Sequence, residues 1–283
     1  METKVSSATR EVFIGDHRPT VLIGERINPT GKKMLSAALK SGDMEVVRRE
    51  AVAQVDAGAD ILDVNVVAPG VDEVALLPQV VRVVMETVEV PLSIDINNPK
   101  ALEAALKIYQ GKPIVNSVTG EEESLNIIFP LVKEYGAAVI CLAIDESGIP
   151  KDPEKRVAIA HKIVERAEAF GIPREDIIID SLALTVGADD KAALATLEAI
   201  RGVKAELGVN QTLGSSNISF GLPDRQVINQ AFLALAIEAG VTCPTVNAAK
   251  VRQAVLATDL ILGRDRFAQR YIRDYSQREK HNN

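Results

Sequence analysis

Thiol and imidazole groups are scarce in this sequence: its 283 residues include two cysteines and three histidines. Cys141 and Cys243 form neither a C-x-x-C pair nor an evenly spaced framework. That excludes a disulfide-stapled scaffold and reads as two buried thiols, each inside a predicted strand, in a reducing compartment. His17 precedes the first predicted strand, His161 falls inside a predicted helix and His281 is in the tail. No two have the spacing of metal ligands, and none stands at a strand end where a Ser-His-Asp triad would need it. Positive charge is also short. Lys and Arg number 32 against 39 Asp and Glu, a net charge of −7, so no general field attracts a phosphate backbone or an anionic bilayer. Neither nucleic acid nor membrane is an expected partner. No uncharged apolar run reaches the roughly 20 residues of a bilayer span, and no N-terminal stretch has the basic, apolar and small-residue order of a signal peptide. The expectation is a cytoplasmic protein. Residues 24–33, after the first predicted strand, read GERINPTGKK rather than G-x-G-x-x-G, which argues against a dinucleotide site.

What the sequence does have is a repeated order. A stretch of helical period ends in Gly, often followed by Ala; a short β-branched run comes next and finishes in small or polar residues. VAQVDAGADILDVN, ending at Asn65, and LALAIEAGVTCPTVN, ending at Asn247, are examples. Read throughout, this order predicts eight strands, at 20–24, 61–64, 92–95, 114–116, 139–143, 177–180, 205–209 and 241–244. Helices are predicted at 43–57, 99–109, 123–135, 152–170, 191–202 and 224–239. Most of the strand runs are too continuously apolar for one wet face, so protein covers both. Eight strands alternating with helices, with no Pro/Gly/Ser-rich linker near the midpoint, predict an α/β fold: one closed (β/α)8 barrel over residues 1–283. The first twenty residues are expected to cross the bottom of the barrel, and the tail from Tyr271 to form a last helix.

A barrel of this type carries its active site at the C-terminal ends of its strands. Those positions hold Glu25 and Asn28, Asp63 and Asn65, Asp95 and Asn97, Asn116, Asp145, Asp180, Asn210, Gln211 and Asn217, and Asn247. Each carboxamide offers an acceptor and two donor hydrogens, and each carboxylate adds acceptors, a set that suits a planar heterocycle rich in both, such as a pterin or a purine. The competing reading is that each caps a helix or closes an Asx-turn. No side chain that ordinarily titrates near pH 7 stands among them.

The runs GERINPTG at 24–31, DVN at 63–65, SIDINN at 93–98, VNSV at 115–118, IIIDS at 177–181, GSSNISFGLPDR at 214–225 and INQAFLALAIEAG at 228–240 occur in order. Each falls at a predicted strand end. Together they closely resemble the methyltetrahydrofolate-dependent corrinoid-protein methyltransferases, pterin-binding barrels related to dihydropteroate synthase and to the folate domain of cobalamin-dependent methionine synthase. The resemblance spans roughly residues 21–250. It implies that Asp95, Asn116 and Asp180 hydrogen-bond the pterin ring and that Asn217 stands beside N5, the nitrogen that carries the methyl group. It also implies that Asn28 and Asn65 line the same mouth, that Ser216 supports it from behind, and that Arg225 fixes the loop or meets ligand charge. The implied substrate is tetrahydrofolate or 5-methyltetrahydrofolate. The implied partner is a separate corrinoid (cobalamin) protein, because neither a zinc-thiolate domain nor a D-x-H-x-x-G cobalamin motif is present. No metal site is expected in the chain itself. The K-x-x-F and R-x-H elements of dihydropteroate synthases are missing after Asn217, which places that activity, and a non-catalytic folate-binding role, as alternatives. Apolar stretches at 128–132 and 231–237 raise the expectation of a homodimer.

Overall fold

Runs such as ILDV, AVICL and IIID put apolar side chains on both faces of a strand, which is stable only where protein covers both sides. The computed structural model, which describes residues 1–282, shows how they are covered. An antiparallel hairpin of β1 (Glu2–Ser6) and β2 (Glu11–Gly15) comes first. It is followed by β3 (Ile23–Ile27), α1 (Lys33–Ser41), α2 (Glu45–Asp56), β4 (Ile61–Val64), α3 (Glu73–Thr87), β5 (Leu92–Asp95) and α4 (Pro99–Leu106). The chain continues through β6 (Ile114–Thr119), α5 (Glu122–Tyr135), β7 (Ala138–Leu142), α6 (Pro153–Phe170), β8 (Ile177–Asp180) and α7 (Ala192–Glu206). It ends with β9 (Asn210–Thr212), α8 (Arg225–Ala239), β10 (Thr245–Val246), α9 (Ala248–Ile261) and α10 (Gln269–Asn282). Strands β3 to β10 are parallel and pair in the order β10-β3-β4-β5-β6-β7-β8-β9. At the β9–β10 seam Thr245 N donates to Leu213 O at 3.0 Å, closing the expected (β/α)8 barrel. Among the described residues no helix is long and apolar enough to cross a membrane.

The two-residue period of a strand sorts side chains into layers. Leu62, Val64, Leu92, Ile94, Val115, Val139, Ile177 and Ile179 point outward and pack with the helices. Ile23, Ile61, Ile114, Ile140 and Ile178 point inward, where Val5, Val12 and Ile14 of the hairpin join them in one cluster. The first residues therefore plug the bottom of the barrel, as expected. Two residues further along the same inward register come Asp63, Asn116 and Asp180, the floor of the mouth.

Three predicted strand positions are corrected. Strand β3 begins three residues later than predicted, because Thr20 is taken up by Asp259, whose carboxylate accepts from its N at 2.9 Å and its Oγ1 at 2.7 Å. Residues 205–206 belong to α7, and the seventh barrel strand is Asn210–Thr212, after Gly208 in the left-handed region at φ +64°. Its polar side chains escape a hydrophobicity reading because each is bonded inside the protein: Asn210 Nδ2 donates to Thr3 Oγ1 at 2.8 Å, and Gln211 Nε2 to Ile200 O at 2.9 Å. Asn210 thus faces the hairpin and Gln211 faces α7, and neither reaches the mouth. The eighth strand is Thr245–Val246 rather than 241–244; Cys243 precedes it and lies in the inward core, away from the mouth cavity. Finally, the stretches 128–132 and 231–237 are spent largely on the barrel, with Ile128, Phe129, Val132, Phe232, Leu233 and Ile237 buried.

Candidate active site at the barrel mouth

The polar layer lines an open cavity of about 200 Å3, bordered by Glu25, Asn28, Asp63, Asp95, Asn116, Asp180, Thr212, Ser216, Asn217 and Thr245 among others. Strand register explains most of this list. Asp63, Asp95, Asp180 and Thr212 are the inward residues at the C-terminal ends of β4, β5, β8 and β9, and Asn116 is an inward residue in the middle of β6. Glu25 lies within β3, and Ser216 and Asn217 sit on a short 3-10 turn, Ser215–Ser219, after β9.

At the floor Asp63 is 3% exposed. Its Oδ1 accepts from Ser93 Oγ at 2.7 Å and from Asn116 Nδ2 at 3.0 Å, so the orientation of Asn116 is set by Asp63. The carboxyl groups of Asp63 and Asp95 also interact directly with each other. Burial, then the neighbouring Asp95 charge, pushes Asp63 well above the usual carboxylate range; burial raises Asp95, against a hydrogen bond from Asn65 that lowers it. Both carboxyl groups are thus displaced toward the protonated form. On the opposite strand Asp180 is pushed up to about 6 by burial, opposed by the N–H groups of Leu182 and Gly214 and by the charge of Arg156. Leu182 N donates to Asp180 Oδ1 at 2.7 Å. Glu25 is raised by burial, with Lys32, Arg26 and Arg225 pulling it back and Ser216 donating to it. The mouth thus contains carboxyl groups that titrate toward neutrality, contrary to the expectation from unperturbed values.

The remaining expected residues divide between the cavity and its rim. Asn28 Oδ1 accepts from Thr30 N at 3.0 Å and Asn65 Oδ1 from Val67 N at 2.8 Å, so both close Asx-turns with their carbonyl ends. Asn28 still lines the cavity with the rest of its side chain, whereas Asn65 reaches it only through Asp95. Asn217 is exposed on the rim, and its amide has no hydrogen-bond partner among the described residues. Arg225 lies outside the cavity: Nη2 donates to Ser216 O at 2.7 Å and Nε to Ser219 Oγ at 3.0 Å, so it braces the turn that presents Asn217. A second cavity, of about 220 Å3, shares Glu25 and Ser216 with the first and is lined by Arg26, Arg225, Asn247 and Lys250.

Asp63 and Glu25 were expected at strand ends but given no role, and Thr212 was not expected at all. Asp63 was visible at its strand end, two residues after a core isoleucine; Thr212 lay in the strand whose position was misjudged. Among the described residues, no three His, Cys, Asp or Glu side chains are grouped to hold a metal ion. The arrangement offers one carboxylate on each side of a flat space, a carboxamide between them and a free amide above. It accepts from N–H donors along one edge of a planar ligand and donates at its far side.

Comparison with known proteins agrees with this chemistry. Residues 24–247 match the family model described as pterin binding enzyme. A methylcorrinoid:tetrahydrofolate methyltransferase from Eubacterium limosum is 31% identical over 267 residues, covering 91% of this chain and 96% of its own. The methionine synthase of Mycobacterium tuberculosis is 32% identical over 94% of this chain, which spans 24% of that longer protein. Among solved structures, a dihydropteroate synthase from Clostridium difficile superposes with a TM-score of 0.71 at 22% identity, covering 87% of this chain and 97% of its own, a likeness of fold. This chain belongs to the pterin binding enzyme family.

Proposed function

We propose that this chain is a methyltransferase that moves a methyl group between N5 of tetrahydrofolate and the cobalt of a corrinoid held by a separate protein. The observation that carries the reading is the pairing, in one cavity, of the half-buried acceptor Asp95 and the buried acceptor Asp180 with the unbonded amide of Asn217 on the rim. The relative of nearly equal length named for this reaction supports it.

In this reading Asp95 and Asp180 accept from the ring N–H and 2-amino group of the pterin, and Asn116, aimed by Asp63, meets its mixed donor and acceptor edge. Burial makes these bonds worth having, since an unpaired donor in the same place would cost about 1–3 kcal/mol. The p-aminobenzoyl-glutamate tail leaves through the second cavity toward Arg225 and Lys250. The methyl group then faces the open end of the barrel, where the corrinoid protein docks. A tertiary amine is a poor leaving group, so the barrier lies mainly at N5. Asn217 turns inward and donates a hydrogen bond from Nδ2 as the N5–methyl bond breaks, a bond stronger in the transition state than in the ground state, while the proton that replaces the methyl group on N5 comes from solvent at the open mouth. The two free, buried thiols fit a cytoplasmic setting.

The test is incubation with methylcobalamin and tetrahydrofolate, following the absorbance of the corrinoid. Loss of the methylcobalamin spectrum with formation of methyltetrahydrofolate, dependent on the protein, supports the proposal. No transfer, under conditions where the protein binds tetrahydrofolate, contradicts it.

A further inference from the structure

Arg156, in the first turns of α6, is the largest fully buried side chain of the molecule, at 0% exposure. A buried guanidinium costs several kcal/mol unless its charge and hydrogens are met, yet among the described residues it has no carboxylate within 4 Å. Its partners are main-chain carbonyls. Nε donates to Pro150 O at 2.6 Å, while Nη1 lies 2.9 Å from Ser181 O, 2.8 Å from Leu182 O and 3.2 Å from Thr196 Oγ1. Nη2 has no partner. Ser181 and Leu182 are the two residues that follow Asp180. Leu182 stands at φ +61°, a left-handed conformation that a leucine keeps only where its surroundings impose it. The same Leu182 donates its N–H to the Asp180 carboxylate at 2.7 Å.

We propose that Arg156 is a positioning residue for Asp180: by gripping Ser181 O and Leu182 O it holds the turn whose N–H aims the Asp180 carboxylate into the mouth. This rests on the pterin reading for the ligand concerned, not for the geometry. The titratable groups facing Asp180 across the mouth are Asp63, Asp95 and Glu25, with the Cys243 thiol beneath; the cation acting on Asp180 is Arg156. On its outer side Arg156 borders a cavity lined by Lys151, Asp189, Lys191 and Glu198. Thr196 Oγ1, 3.1 Å from Leu182 O, grips the same turn without charge.

The test compares Arg156→Met, Arg156→Lys and Thr196→Val by two readouts: the titration of the Asp180 carboxyl in the unliganded protein by carbon NMR, and the Kd for methyltetrahydrofolate against pH. Arg156→Met is expected to raise the Asp180 midpoint and weaken Kd about tenfold at pH 7. Arg156→Lys, which keeps the charge but cannot hold three carbonyls, is expected to keep the midpoint near that of the parent while weakening Kd several-fold. Thr196→Val is expected to weaken Kd and leave the midpoint in place. A folded Arg156→Met with both readouts unchanged overturns the proposal. Should Arg156→Met not fold, Arg156→Lys decides: unchanged Kd in a folded Arg156→Lys overturns it. If the parent protein fails to bind methyltetrahydrofolate while Arg156→Met still raises the Asp180 midpoint, the positioning role stands and the pterin reading falls.

Discussion

Asp180 illustrates what burial does to a single carboxyl group. With a pKa of about 6 it is mainly ionised at pH 7, yet close enough to neutrality that a modest fall in pH removes it as an acceptor. Methyltetrahydrofolate binding measured by calorimetry should therefore weaken as pH drops through about 6; in Asp180→Asn that limb should vanish and affinity at pH 7 should fall about tenfold or more. Asn217 belongs to the same scale but to a different state of the reaction. Asn217→Ala should slow single-turnover methyl transfer by about tenfold to a thousandfold, roughly 1.4 to 4 kcal/mol, with folate affinity little changed. An unchanged rate would rule out its role at N5. Asp95, Asn116 and Asp180 were legible in the sequence because register puts inward strand residues at the mouth, whereas Ser216 and the place of Asn217 came from the family resemblance. The direct interaction of Asp63 with Asp95 was not legible, since it depends on the approach of two side chains from separate strands. Arg156 was invisible for a related reason: at a helix position it reads as a solvated cation, and only the fold brings the Ser181 and Leu182 carbonyls to it.

Elements divide between those that build the barrel and those that aim the site. The β1–β2 hairpin belongs to the first group: Val5 and Ile14, both 0% exposed, fill the lower barrel beneath the polar layer. Ile14→Ala should cost about 2–5 kcal/mol of stability in chemical denaturation through the cavity it leaves. Because the hairpin and the mouth lie at opposite ends, folate affinity at a temperature where the variant is folded should stay within about twofold; a large loss of affinity would contradict the separation. The turn Ser215–Ser219 belongs to the second group, tied by Arg225 from the start of α8. Most helices and the middle strands of the barrel were readable from period and from glycine stops. The polar strand β9 was not, because its side chains replace hydrophobic contacts with internal hydrogen bonds that composition does not show.

At the scale of the whole molecule the mouth is a destabilised region held open by the barrel around it. Asp63, Asp95, Asp180 and Glu25 all have folded-state pKa values above their ordinary ones. Groups of this kind bind more protons in the folded state, so their contribution favours folding at low pH and is lost as pH rises through the folded pKa, for Asp180 about 6. The Tm of the unliganded protein should thus rise between pH 7.5 and pH 5.5, and the rise should shrink in Asp63→Asn and Asp180→Asn; a Tm that falls equally in all three over this range would count against the assignment. Folate binding runs the other way and favours the carboxylates, so the same groups that weaken the empty barrel at neutral pH recognise its ligand.

The account is tested most directly by determining the structure of the protein with methyltetrahydrofolate bound. It predicts the pterin on the floor of the barrel, with its N–H donors on Asp95 and Asp180 and the Asn217 amide turned inward to within hydrogen-bond distance of N5. A pterin bound elsewhere, or one seated in the mouth with Asn217 still directed away into solvent, would contradict it.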